Sequence, residues 1–342
     1  MRGCALPKTK MGIRSTGDMV LMLTHSGDYF TVDRVAAALD RRGVKTFRFN
    51  TDRFPEEIKL VAKFTGGAVT HLIKDGAKTL DSSAVRAVWA RKIWLPHLAE
   101  DLDPNFYGMC MRESMAALES FLNGLTLARW VNEPGSDRRA ENKLLQLRAA
   151  QEVGLTVPRT LMTNDPAQMK SFFREVDKKM VAKLLTPISV SMDAPSAFIH
   201  TSEVTSRDIA DGNMLRHSPM VFQEQIPKAC ELRIAFVNGS LFVGAIDASG
   251  SKDGKVDWRL SSPEEVRWQR DEVPADVSAK LSALMAKLGL VYGAIDLIRT
   301  PGGEHVFLEV NSGGEWGMLE RDLDYPISEA IADALLDEGG RT

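Results

Sequence analysis

Apolar and polar positions along this chain form runs that switch between the strand period of two and the helix period of 3.6. Met19–Thr24 is a continuous apolar run that predicts a buried strand, and Val32–Leu39 then repeats at helical spacing up to a stop at Gly43. Val44–Asn50 predicts a second strand. Lys59 to Asp81 alternates as strands do, with a turn at Asp75-Gly76, and Ala84 to Pro96 holds an apolar strand that closes on Arg91 and Lys92 beside two tryptophans. A helix is predicted from Arg112 to Leu125, with Met115, Leu118, Leu122 and Leu125 on its apolar face, and Trp130-Val131 ends the first unit before a turn at Asn132–Gly135.

From Ala140 the pattern reads helix, strand, helix, strand. Ala140–Val153 has helical spacing and ends at Gly154, Thr160–Met162 is extended, and Asp165-Pro166 supplies an N-cap and first-turn proline for Ala167–Phe173. Met180–Leu185 predicts a buried strand that contains Lys183. Such a charge either meets a partner, for which a phosphate would serve, or snorkels to the sheet edge. Pro187–Ser202 reads as a loop or irregular hairpin, and Val221–Ile226 as a strand that breaks at Pro227 and becomes a linker. Glu231–Val237 and Leu241–Ile246 predict a hairpin about Asn238-Gly239, with Glu231 and Arg233 on one face, and Val277–Leu288 predicts an amphipathic helix closing at Gly289.

The last hairpin is the most informative stretch. Gly293–Ile298 and His305–Val310 flank a Pro301-Gly302-Gly303 turn, and three oxygen side chains interrupt their apolar runs. Asp296 lies in the first strand, while Glu309 and Asn311, two apart, share a face of the second. Hard oxygen donors too few to complete a cage suit Mg²⁺ that also holds nucleotide phosphates; the other reading is an edge hairpin whose acids face water.

Composition narrows the class. With 342 residues, 44% hydrophobic and 26% charged, the chain fits two or three packed globular units rather than a disordered polymer. A net charge of -3 with no long basic run gives no electrostatic reason to expect nucleic acid or an anionic membrane. Three scattered cysteines, Cys4, Cys110 and Cys230, argue for reduced thiols in a cytoplasm. No apolar run is long enough to span a bilayer, and residues 1–18 read as a loose tail without the apolar core of a signal peptide. The βαβ-type opening resembles a nucleotide-binding half, but its loop, His25-Ser-Gly-Asp28, lacks the Gly-x-Gly-x-x-Gly spacing, so a dinucleotide site is not expected.

The order Lys143, Lys183, Gln223-Glu-Gln-Ile226, Glu231-Leu-Arg233, Asp296 and Glu309-Val-Asn311 resembles the ATP-grasp ligases across residues 130–342. More narrowly, RESMAALESFL, ARWVNEP, AENKLLQLRAAQEVGLTVPRTLMTND and LEVNSGGEW are similar to the microviridin-type peptide macrocyclases, or graspetide ligases. The resemblance implies an α/β fold of α+β lobes: a Rossmann-like pre-ATP-grasp domain at 19–131, a central lobe at 132–225 and a C-terminal lobe at 226–342, the last two enclosing ATP. Lys143 and Lys183 would bind phosphates, Gln223, Glu224, Gln225 and Ile226 would line the adenine site, and Glu231 would accept from ribose. Asp296, Glu309 and Asn311 would hold Mg²⁺, as two ions, while Arg233 and Arg259 would neutralise the transferring phosphoryl group.

The implied reaction phosphorylates an Asp or Glu side chain of a ribosomally made precursor peptide and joins it to a Ser or Thr hydroxyl or a Lys amine. The resemblance places leader-peptide recognition within Ile188 to Asp211, where Asp193 and Asp208 lie, and sets Arg91, Lys92 and Glu113 toward the substrate. It further implies a homodimer. Thr186–Ser196 departs from many ATP-grasp enzymes in holding no glycine, which puts a phosphate role for that loop in doubt. Two alternatives share the same ATP residues: an amino-acid ligase of the glutamate- or glutathione-adding type, and a nucleotide-binding regulatory module without catalysis. No Ser-His-Asp or Cys-His arrangement is evident among the six histidines.

Overall fold

Strand β1 (Met19–Thr24), apolar along its length, lies in the middle of a parallel sheet because both of its faces can be buried. The computed structural model describes residues 17–185, 201–246 and 267–337. Its contacts divide the chain into two compact units, one holding the chain through Val131 and from Leu335 onward, the other Asn132–Ala334.

In the first unit, α1 (Phe30–Arg41) follows β1 and leads into β2 (Lys45–Asn50). Then come β3 (Lys59–Thr65), β4 (Ala68–Asp75) and β5 (Lys78–Asp81), an antiparallel meander, followed by β6 (Val85–Ala90), α2 (Pro104–Gly124) and β7 (Arg129–Val131). The parallel sheet has the order β2-β1-β6-β7. Leu21, Leu23, Phe49, Val88 and Leu118 are among the residues that form its core.

Helix α2 begins eight residues before the predicted Arg112. Asp103 caps it by accepting from Asn105 N–H at 2.9 Å, and Pro104 occupies the first turn. Phe106, Tyr107 and Met109 on those turns are half exposed, so no buried face announced them to the apolar pattern.

The loop after β1 is held by the chain's own side chains. Ser26 N–H donates to both carboxylate oxygens of Asp52, at 3.0 and 3.1 Å, and Gly27 N–H donates to His25 Nδ1. Asp28 accepts from the hydroxyls of Thr24 and Thr31 and sits 3.5 Å from Arg91. The backbone donors that would meet a pyrophosphate are thus turned onto the chain's own side chains.

The second unit opens with α3 (Pro134–Ala140) and α4 (Lys143–Glu152). The predicted helix from Ala140 is broken at Asn142, whose side chain accepts from Leu145 N–H and starts α4 afresh. Next come β8 (Thr160–Thr163), α5 (Pro166–Glu175), β9 (Met180–Lys183), β10 (Ser202–Glu203), α6 (Ser206–Ala210) and β11 (Met220–Glu224). The strands pair antiparallel in the order β10-β9-β11-β8, and Met169, Phe172, Phe173 and Phe222 fill the core against α5.

The last part of the unit is a five-stranded antiparallel sheet, β14-β13-β12-β15-β16. It comprises β12 (Cys230–Val237), β13 (Ser240–Ile246), β14 (Trp268–Arg270), β15 (Tyr292–Arg299) and β16 (His305–Asn311). Asn238 and Gly239 have φ of 44° and 97°, the primed turn that a tight right-twisted hairpin requires. Helix α7 (Ala275–Leu288), ended by Gly289 at φ 71°, buries Leu281, Leu284 and Met285 on this sheet, and α4 adds Leu147, Ala149 and Ala150 to the same core. Each such fully buried aliphatic side chain contributes about 1.5–3 kcal/mol. After β16 come α8 (Gly317–Leu323) and α9 (Ile327–Leu336), where buried Glu320 accepts from Ser328 N–H and hydroxyl.

Candidate active site

Three adjacent strands place three charged residues in one row. Arg233 of β12 is the register partner of Asp296 on β15, and Asp296 is the partner of Glu309 on β16. Paired residues share a face of the sheet, so the row projects to one side. Arg233 Nη1 donates to both Asp296 oxygens at 2.8 Å, and its Nε and Nη2 donate to Glu315 O. Lys143, at the first turn of α4, reaches Glu309 Oε2.

Asn311 lies beside Glu309, with Nδ2 3.3 Å from Oε1. Turning that amide over presents its oxygen instead. Asp296 thus faces Glu309 across the strands, and Asn311 lies beside Glu309. Their chemistry fits a hard divalent cation: two carboxylates and an amide oxygen, with places left for phosphate and water. Among the described residues no group of three His, Cys, Asp or Glu side chains forms a metal cluster.

The strands that carry the row are held by polar side chains that the pattern of charges did not reveal. Asn132, only 1% exposed, accepts from Val291 and Tyr292 N–H and donates to Tyr292 O. Tyr292 Oη donates to Gly314 O at 2.7 Å. Gln146 of α4 makes a two-way contact with the backbone of Val310. The only sequence signal for Gln146 was a polar residue among Leu147, Ala149 and Ala150, three positions after Lys143.

Asp137 lies near the same loop with a buried Oδ1 that has no hydrogen-bond partner among the described residues. Burial pushes its carboxyl up to about 7, against the opposing pull of hydrogen bonds with Asn132 and Ser312.

Of the other expected nucleotide residues, Lys183, Gln223 and Glu224 lie on the four-stranded sheet, Gln225 and Ile226 follow it, and Glu231 lies on β12. Lys183 ends β9, across from Val221, and Gln223 is buried with Nε2 donating to Thr160 Oγ1. Backbone amides of Glu224 and Gln225 are held by Arg159 O and Lys179 O, which fixes the exit of β11 toward Ile226. Glu224's carboxylate is bound by Arg159, and Glu231's by Lys228 at 2.6 Å.

The substrate residues fare differently. Arg91 is 1% exposed and directed at Thr31 and Asp28, so it serves the interior of the first unit; Lys92 is part-exposed. His25, whose ring stacks on Trp94 at 3.7 Å, completes that cluster, and burial lowers its pKa. Glu113 is exposed on α2. Asp208 forms a capping box with Thr205 at the start of α6, accepting from its backbone and hydroxyl. That local bond accounts for its carboxyl lying below the usual range. Arg259, Asp193 and the glycine-free stretch 186–196 lie outside the described residues.

Comparison with known proteins follows the same lines. A family model described as the MvdD pre-ATP grasp domain matches residues 19–138. The curated proteins give no match. Among solved structures, macrocyclase MdnB from Microcystis aeruginosa MRC is similar over 93% of this chain and 99% of its own, with 48% identity and a TM-score of 0.82. Macrocyclase MdnC from the same organism, solved with precursor peptide MdnA, matches at 34% identity and TM-score 0.83 over 93% of this chain and 99% of its own. The Chryseobacterium gregarium RiPP-associated ATP-grasp ligase, in complex with ADP and a leader and core peptide, matches at 31% identity and TM-score 0.86 over 95% and 98%. With its charged row on the closing sheet and this likeness along nearly its whole length, the chain belongs to the RiPP-associated ATP-grasp ligases, the family of the macrocyclases MdnB and MdnC.

Proposed function

We propose that this protein uses ATP to phosphorylate Asp or Glu side chains of a ribosomally made precursor peptide and closes them onto Ser or Thr hydroxyls or Lys amines as ester or amide macrocycles. The observation that carries this reading is the cross-strand row Arg233–Asp296–Glu309, completed by Lys143 and Asn311, in a chain 48% identical to a macrocyclase. Related structures support the ligands: ADP with leader and core peptide in one, precursor peptide in another.

In the proposed reaction a substrate carboxylate oxygen attacks the γ-phosphorus and ADP leaves. The acceptor hydroxyl or amine then attacks the acyl carbon, losing its proton as inorganic phosphate departs. Mg²⁺, taken here as two ions, supplies charge neutralisation and orientation of the phosphates when bound. Asp296, Glu309 and Asn311 would hold it. Arg233 and Lys143, which balance the two carboxylates in the present arrangement, would turn their charge toward phosphate oxygens, and Lys183 and Glu231 would hold the rest of the nucleotide. Arg259 is proposed as a second cation at the phosphoryl group. Lys92, rather than the internal Arg91, is proposed to meet acidic side chains of the peptide.

We further propose three lobes, at 19–131, 132–225 and 226–342. The division after Val131 and the separate core of the four-stranded sheet support this, with α4 packed into the core of the five-stranded sheet. A homodimer is part of the reading, supported by the half-exposed Phe106, Tyr107 and Met109 on α2, and light scattering should return twice the chain mass.

The deciding experiment incubates the full chain with a precursor peptide of leader and core, ATP and Mg²⁺, followed by mass spectrometry. One water is lost per ring formed. Glu309→Gln should abolish the loss; rings formed at the wild-type rate by that variant would refute the ligand assignment. ATP consumed without a modified peptide would favour a different acceptor.

A further inference from the structure

Strand β16 is the outer strand of its sheet, so half of its backbone groups point away from β15. Its pairing is also irregular. Asp296 is opposite Glu309 while Leu297 is opposite Phe307, which leaves Leu308 as an extra residue beside the ligand. Bulges re-aim the side chains around them, and a bulged edge holds its own geometry poorly unless something else fixes it.

Thr156 O accepts from Phe307 N–H at 2.8 Å earlier in the strand, and beside the ligands one buried side chain supplies that fixation. Gln146 Oε1 accepts from Val310 N–H at 2.9 Å, and Gln146 Nε2 donates to Val310 O at 2.8 Å. Val310 is the residue between Glu309 and Asn311. The same Nε2 also donates to Ala140 O, so two carbonyls define which end of the amide is nitrogen. Gln146 is 3% exposed, and its helix is held by the Asn142 cap and by Leu147, Ala149 and Ala150 in the core.

We propose that Gln146 is a positioning residue for the Mg²⁺ ligands. By holding both backbone groups of Val310 it sets the peptide planes on either side, and with them the directions in which Glu309 and Asn311 leave the strand. Lys143, one turn earlier on the same helix, reaches Glu309 itself, so α4 controls both the backbone and the side chain of that ligand. The inference rests on the metal reading of Asp296, Glu309 and Asn311.

The test uses Gln146→Glu, which keeps the side chain's size and replaces its donor by an acceptor, together with Gln146→Met. Mn²⁺ binding to the full chain with ADP is read by electron paramagnetic resonance. ADP binding in EDTA is read by calorimetry, and folding by circular dichroism. We expect Mn²⁺ affinity to fall about tenfold or more, as for other residues behind a metal ligand, with metal-free ADP affinity unchanged. Wild-type Mn²⁺ affinity in folded Gln146→Glu overturns the proposal. So does an equal loss of metal-free ADP binding, which would make Gln146 a general scaffold residue. Glu309→Gln is measured alongside: if it too binds Mn²⁺ as wild type does, the ligand assignment itself falls and takes this role with it.

Discussion

Asp296 and Glu309 each lie against a cation, Arg233 and Lys143, so the four charges of the row cancel. Arg233 is 6% exposed, and a buried cation of this kind is tolerable only with its partner in place. Asp137 is the contrasting case, a carboxyl with one oxygen that has no partner among the described residues. Burial raises its pKa from 3.8 to about 7, so between those values the folded chain holds a proton that the unfolded chain has released. Rising pH therefore removes stability through this window, by an amount on the order of a few kcal/mol. Asp137→Asn, which cannot ionise, should gain on the wild type as pH rises from 4 to 7, as estimated from that window, and the gap should level off above it. Urea unfolding at both ends of the window checks this; a gap that does not change with pH would contradict it.

At the scale of elements, the turn after β16 is shaped by a close approach. A Cβ on Gly314 would lie 2.4 Å from Ala294 Cβ and 3.0 Å from Arg233 Nη2. Gly314→Ala should therefore displace the turn, lower stability by about 1–3 kcal/mol and reduce turnover through Arg233, to be read by denaturant unfolding and by ring formation. The hairpins were legible in the sequence because apolar alternation and Asn-Gly or Gly-Gly turns specify them locally. Asp296 and Glu309 stood out because acids are rare inside such strands. Gln146 and Asn132 did not, since an uncharged amide on a helix or in a turn looks like any solvated residue until its backbone partners, more than 150 positions away, are known. The opening turns of α2 were hidden for want of a buried face, and the break at Asn142 because helical spacing runs on through it.

At the scale of the whole molecule, the described residues contain no helix long and apolar enough to cross a membrane. The two units also differ in what they offer an anion. The second gathers cations about its carboxylate row, whereas the first has already filled the loop after β1 with Asp52. An internal carboxylate that accepts one N–H on both of its oxygens, at 3.0 and 3.1 Å, is a tethered competitor with a high local concentration at that donor. The Rossmann-like half is therefore expected not to take up a second nucleotide. Equilibrium titration of the intact chain with ADP should saturate at a single equivalent, and a second equivalent bound with comparable strength would mean that Asp52 can be dislodged.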